Sequence, residues 1–257
     1  MAKKIAVLLV FICLMVGCKP VSIDSHSAAN FSTAKCCSLK YFNAINISGN
    51  VHVELANGAP GIRLSGLSED INHCYATVCD HTLYIHQDVE TKNAIKIKLC
   101  VPDLTKVTTS GHAIIRIKNL KTCDLEIIAK DNSSIILNGN ICVNKITQLG
   151  SGKINIAWVN SDDLEIIANG SGTIALAGRV DNLFLNLSRC AVLKAKYLRA
   201  RKVVAITSDD ATAYLSPLYS LSAYAIDSST IYYYHYPKHL TIVTKNSGNV
   251  LHLGWTD

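Results

Sequence analysis

The sequence predicts an all-β fold, a parallel β-solenoid with coils of about 19–20 residues, entered through a short N-terminal β-sheet region. Three observations carry this expectation. A polar turn recurs at near-constant spacing from about residue 105 onward, apolar and polar residues alternate after each turn, and helical periodicity and helix caps are missing from the same stretch. A fixed period marks a supersecondary unit that cannot bury its own apolar face and must stack on its neighbours.

The chain opens on a targeting segment, residues 1–17. Lys3 and Lys4 give a positive start, Ile5 to Val16 is an unbroken apolar run, and small Gly17 precedes Cys18. The run is too short for a bilayer core, which needs roughly 20 apolar residues, and its three parts are those of a secretory signal. "LMVGC" resembles the bacterial lipobox, in which the Cys becomes the acylated first residue of the mature protein. That resemblance implies lipidation at Cys18. Several acyl chains give a stable anchor, since each buried methylene adds ~0.8 kcal/mol. Lys19, rather than Asp, follows the Cys, and by the enterobacterial sorting pattern this implies an outer-membrane lipoprotein.

Cleavage before Cys18 leaves 240 residues and a net charge of +4, from 23 basic and 19 acidic side chains. This mild basicity suits anionic headgroups and gives no reason to expect nucleic acid. Eight cysteines remain besides Cys18: Cys36, Cys37, Cys74, Cys79, Cys100, Cys123, Cys142 and Cys190. An exported chain meets an oxidising compartment, so Cys74 and Cys79 in "HCYATVCDH" are candidates for a small disulfide loop. The others lack CxxC pairs or Cys/His alternation, which argues against a metal site.

Residues 18–40 read as a lipidated N-terminus and flexible tether, rich in small and polar residues. Strand patterns follow over 41–104 in "NAINISGNVHVEL", "GIRLSGL", "HTLYIHQ" and "AIKIKLCVP", a starting or capping sheet. The repeats occupy 105–257. Their turns fall at Ser110, Ser133, Ser151, Ser171, Arg189, Asp209, Ser228 and Ser247, with successive spacings of 23, 18, 20, 18, 20, 19 and 19. "DLEIIA" occurs at Asp124 and again, unchanged, at Asp163. Alternation places Ile154 with Ile156, and Ile174 with Leu176, on one face. Eight such coils at ~4.8 Å each make a rod of roughly 35–40 Å.

The order "YFNAINISGNVHVELANGAPGIRLSG", "CDHTLYIHQ", "IKIKLCVPDLTKVTTSGHA" and repeated "GSG" turns resembles the bacterial head GIN domain of putative auto-transporter adhesins, DUF2807. Phe42 and Ile45 make the opening, Gly49 precedes "VHVEL", and Ser110–Gly111 makes the turn. The resemblance covers about residues 41–255. It implies a right-handed β-helix-like fold on exported, often lipid-anchored bacterial proteins, with adhesion as the provisional role. The Cys content and the Tyr-rich late repeats depart from the pattern.

Polysaccharide-processing enzymes also use β-helices, and they need convergent carboxylates. The acidic pairs Asp162–Asp163 and Asp209–Asp210 are sequence neighbours, which alternate across a strand, and they sit where sister repeats carry turn residues. His235 and His239 are four apart, but Pro237 between them excludes the helix that would align them on a metal, and no nucleophile elbow, phosphate loop or dinucleotide fingerprint occurs. No cofactor is expected and the chain does not read as an enzyme. Two features suit binding. "TIYYYHYPKH" places Tyr232, Tyr234 and Tyr236 on one face of a strand, opposite Ile231 and Tyr233. Lys194, Lys196, Arg199, Arg201 and Lys202 form a basic stretch able to meet phosphates or acidic glycans. The expected partners are the membrane, through the anchor, and a glycan or protein ligand. The expected role is a lipid-anchored envelope protein displaying a solenoid for adhesion, with a carbohydrate-active enzyme or a purely structural lipoprotein as alternatives.

Overall fold

The computed structural model describes residues 39–254 except 90, 92, 119, 121 and 123, together with the backbone of 32–33 and 37–38. The expected signal segment, Cys18, Cys36 and Cys123 lie outside these residues. Strands β1 (Ser32–Thr33) and β2 (Cys37–Ser38) pair antiparallel with β5 (Gly61–Gly66). Leu39 is buried and its N–H donates to the Pro60 carbonyl. The backbone of 32–33 and 37–38 is thus paired with β5.

The first coil is β3 (Ala44–Gly49) and β4 (Val51–Asn57), joined at Gly49. The chain then leaves the stack. β5, the four-residue helix α1 (Ser68–Ile71), β6 (Cys74–Cys79), β7 (Thr82–Gln87) and β8 (Ile95–Val101) fold over the N-terminal end. β7 lies parallel to β3 and carries β6 antiparallel on its outer side, through a tight turn in which Asp80 and His81 both have positive φ. That two-residue geometry matches the twist of a hairpin. β8 lies parallel to β4 and carries β5 antiparallel. Ile71 of α1 is buried between these strands, so the inward layer is roofed.

The chain returns at β9 (Lys106–Gly111), which stacks on β3 with Lys106 against Ala44. β10 (Ile114–Lys118) likewise stacks on β4. The stack that β3 and β4 begin is thus continued by β9 and β10 after the excursion. From β9 onward each coil has a strand on a first face, a tight corner, a strand on a second face, and a bend into the next coil. The elements are β11 (Leu125–Asp131), β12 (Ser134–Ile141), β13 (Val143–Gly150), β14 (Lys153–Gly170), β15 (Thr173–Arg189), β16 (Val192–Thr207), β17 (Thr212–Ala225), β18 (Thr230–Tyr233), β19 (His239–Thr244) and β20 (Asn249–His252). β14 to β17 are long because each runs through its bend from the second face to the first. The result is the parallel β-solenoid that the repeat predicts, with about seven turns where the sequence counts eight coils.

The corners explain the period. Residues with positive φ occur at Gly111, Asp131, Gly150, Gly170, Arg189, Asp209, Asp227 and Asn246, giving steps of 20, 19, 20, 19, 20, 18 and 19. The left-handed conformation favours Gly, Asn and Asp, and here it turns the chain from one face to the other. Close stacking adds a second constraint at Gly150, where a Cβ would stand 2.1 Å from the Asp131 carbonyl oxygen. Polar corner side chains tie neighbouring coils together: Asp131 accepts from the Gly111 N–H at 2.9 Å and Asp209 from the Arg189 N–H at 2.8 Å.

Inside, like residues stack on like. Ile127, Ile146, Ile166 and Leu185 form one buried column, and Ile115, Ile135, Ile154 and Ile174 another. Each such side chain contributes about 1.5–3 kcal/mol on burial. The columns narrow toward the C-terminus, to Ala205 and Ala223 on the first face and Ala213 on the second, before Ile242 and Ile231 continue them.

Candidate binding face

The second face of the last coils carries the two features that the sequence places in separate stretches. Register determines this. Lys194 pairs with Tyr214 and Tyr214 with Tyr232, so these residues form one outward column down three coils. The Tyr214 and Tyr232 rings stack at 5.0 Å with an interplanar angle of 13°. Beside this column β16 is irregular: its register shifts against β15 and again, between Lys194 and Arg199, against β17. A bulge re-aims side chains, and here Lys196 and Tyr197 both turn toward solvent although they are sequence neighbours. The Ser216 hydroxyl donates to the Lys196 carbonyl at 2.5 Å and holds the irregular segment in place.

Lys196 is the centre of the arrangement. Its Nζ lies 4.9 Å from the Tyr234 ring centroid and 5.7 Å from that of Tyr197. A cation over a ring at such distances is worth ~0.5–1 kcal/mol where exposed, enough to orient the ammonium without removing it from solvent. The Tyr234 hydroxyl is held above its ordinary pKa by burial first, then by Tyr214 and Tyr197, and stays protonated. At the bend, the Arg201 guanidinium lies 5.7 Å and Lys238 Nζ 6.0 Å from the Tyr219 ring, which also meets His239 edge-on at 5.0 Å. Arg199 is exposed between the two groups. From Cys190 to Gly254 the acidic residues are Asp209, Asp210 and Asp227, all at the corners rather than on the face.

The chain matches the family described as "Putative auto-transporter adhesin, head GIN domain" over residues 41–237. This chain belongs to that family. Solved structures resemble this GIN domain in fold. A putative lipid binding protein from Parabacteroides distasonis and a putative adhesin from Parabacteroides merdae each show 22% identity and a TM-score of 0.79, over 88% of this chain and 97% of theirs. A putative adhesin from Bacteroides fragilis shows 20% identity and a TM-score of 0.62, over 88% of this chain and 98% of its own. No curated protein matches the chain. The family and these neighbours are described by adhesion or lipid binding rather than by catalysis.

Several expectations change in detail. Tyr232, Tyr234 and Tyr236 do not form one row, because β18 ends at Tyr233 and the alternation ends with it. Tyr232 joins the Tyr214 column and Tyr234 turns to Lys196. Tyr236, 73% exposed, stacks on His252 at 3.8 Å near the C-terminal end. Cys74 and Cys79 do not form a disulfide. They sit at the two ends of one extended strand, β6. Five rises of about 3.3 Å put their Cα atoms roughly 16 Å apart, beyond the ~7 Å that a bridge spans. Burial first, and Asp88 second, push the Cys74 thiol up to about 11, so it stays protonated at neutral pH.

The acidic pairs do not converge. Asp162 and Asp163 are both exposed, because they occupy a bend rather than alternating along a flat strand, and Asp163 accepts from Asn182 Nδ2 at 2.8 Å. Asp209 is committed to its corner. Among the described residues no group of three or more His, Cys, Asp or Glu could hold a metal ion. No helix among them is long and apolar enough to cross a membrane. Sequence reasoning missed Tyr197, Tyr214 and Tyr219. The signal was available: a residue one coil length away from a basic residue falls in the same outward column, and Tyr214 follows Lys194 by one coil.

Proposed function

We propose that this GIN domain is exported, acylated at Cys18 and held at the outer membrane as an envelope lipoprotein, and that the second face of its last coils binds an extracytoplasmic glycan or protein. The convergence of Lys194 and Lys196 with Tyr214, Tyr232 and Tyr234 on one stretch of sheet, with acidic residues confined to the corners, carries this reading. Tyrosine offers rigid contact area with a hydroxyl at its tip, and the lysines draw anionic groups. The neighbours described as adhesins and as a lipid binding protein agree with a binding role. A β-helix enzyme needs carboxylates that converge across coils, and the Asp162–Asp163 and Asp209–Asp210 pairs lie at different edges of the coil.

Two measurements test the reading. Intact-mass analysis of membrane-extracted protein should show a chain starting at Cys18 with a lipid-sized increment, lost in Cys18→Ala. An unmodified chain cut elsewhere removes the anchor from the proposal. Binding of the protein to an array of envelope and host-surface glycans and to intact cells should fall at least about tenfold in Lys196→Ala/Tyr234→Ala, with thermal unfolding unchanged. Equal binding by wild type and variant would move the function off this face.

A further inference from the structure

The last coil leaves a sheet edge unpaired among the described residues. There β19 pairs with β17, and β20 with β18, on one side only. All six residues of β19 are exposed, including Leu240 at 40% and Ile242 at 44%, which continue the columns of buried Leu221 and Ala223. Natural edges are protected by charges, prolines or bulges. Neither His239–Thr244 nor Asn249–His252 contains Lys, Arg, Asp, Glu or Pro.

The backbone has a definite polarity here. The Lys245 N–H donates to the Ala225 carbonyl, and the Asn249 and Leu253 N–H groups donate to Ser229 and Tyr233. Backbone groups alternate sides along a strand, so those of Leu240, Ile242 and Thr244, and of Val250 and His252, point away from the stack. We propose that this end pairs with the same end of a second copy of the chain, the two rods meeting across a twofold axis that passes over Thr241 on the first face and Leu251 on the second.

The axis satisfies both strands at once. Thr241 and Leu251 stand at equal chain distances on either side of the corner at Asn246, so an axis over one passes over the other. About Thr241, antiparallel pairing sets Leu240 against Ile242 of the second copy. Their open N–H and C=O groups then face each other and their apolar side chains join in the extended core. About Leu251, it sets Val250 against His252 in the same phase. Lys238 falls opposite Thr244, so like charges are not placed directly across. Such self-complementarity is what an isologous interface requires. The end spans roughly 20 Å along β19 and about 10 Å between faces, less than the ~800 Å² per partner of a standard interface. Backbone pairing along two edges therefore has to hold the pair, and covalent trapping is the suitable readout.

The residues on the axis supply the trap. Thr241 meets its own copy as a non-hydrogen-bonded pair with Cα atoms about 4.5 Å apart, within disulfide range. Full-length chain extracted in mild detergent and treated with a mild oxidant should give a disulfide-linked species of twice the chain mass in Thr241→Cys, above the wild-type background. Leu251→Cys, on the other face, should give the same product. Adding Ile242→Lys to Thr241→Cys should reduce it at least about tenfold without moving the thermal unfolding midpoint. The proposal is overturned if both cysteine variants stay at single-chain mass although their thiols are alkylated. It is also overturned if the cross-link joins a different polypeptide, or if Ile242→Lys leaves the product undiminished.

Discussion

The two ends of the rod solve the same problem in different ways. Every solenoid terminates in a layer of inward side chains with nothing stacked on it. At the N-terminus the chain spends residues 58–105 on a roof: antiparallel β5 and β6, with Ile71 of α1 buried beneath them, so that Phe42, Leu83 and Ile97 are almost fully buried. At the C-terminal end nothing among the described residues lies over the last coil, and the inward Leu240 and Ile242 are in contact with solvent. The inward side chains are covered at one end and left exposed at the other.

The contrast can be broken most easily at the roofed end. Phe42→Ala removes a fully buried ring and should cost about 3–5 kcal/mol, read as a lowered urea midpoint. A loss below about 1 kcal/mol would mean that the roof is not packed as described. Deleting residues 239–257 removes the open coil. Because solenoid coils contact only their neighbours, the remainder should keep one cooperative transition and lose at most about 3 kcal/mol, the burial of side chains such as Leu221 and Ile231. Collapse of the whole fold would make the open coil a true cap.

Smaller effects sharpen the comparison. Ile242→Ser, already 44% exposed, should change the unfolding free energy of the dilute protein by no more than about 0.5 kcal/mol, although the same residue type at Ile127 is fully buried. The smallest effect concerns His52 near the roofed end. Burial, then Arg116 and Lys96, hold its pKa below the ordinary 6.5. The unfolded chain therefore takes up the proton first as pH falls. The contribution is complete above pH 6.5 and is lost as pH drops from there through the lowered value. His52→Gln should flatten this part of the profile in urea titrations from mildly alkaline to mildly acidic pH. A parallel profile for wild type and variant would assign the slope to other histidines.

The repeated part of the fold is legible because each corner demands a residue that tolerates positive φ, and Gly, Asp and Asn mark those points. The sequence spacing of 23 between Ser110 and Ser133 looks irregular only because Ser110 precedes its corner residue and Ser133 follows its own by two; the corners Gly111 and Asp131 are 20 apart. The first coil is not legible. An excursion separates β4 from β10, its neighbour in the stack, and no local pattern announces that Ala44 will wait for Lys106 as its partner. The tyrosine row fails for a different reason. Alternation reads on through Tyr234 and Tyr236, but Pro237 follows them and the strand stops at Tyr233. The basic stretch and the tyrosines are each visible, while their meeting follows from coil length: Tyr234 lies two coils after Lys196.

The identical "DLEIIA" segments at Asp124 and Asp163 stand two coils apart, and the corners that follow them, Asp131 and Gly170, keep the same separation. Two coils thus return the same segment to the same place relative to its corner. A tandem copy of the DNA between equivalent corners would lengthen the rod by about 10 Å, keep every face in phase, and leave the roof and the open end untouched. The length of the rod is therefore a quantity that unequal recombination can tune in fixed steps, without inventing any new contact.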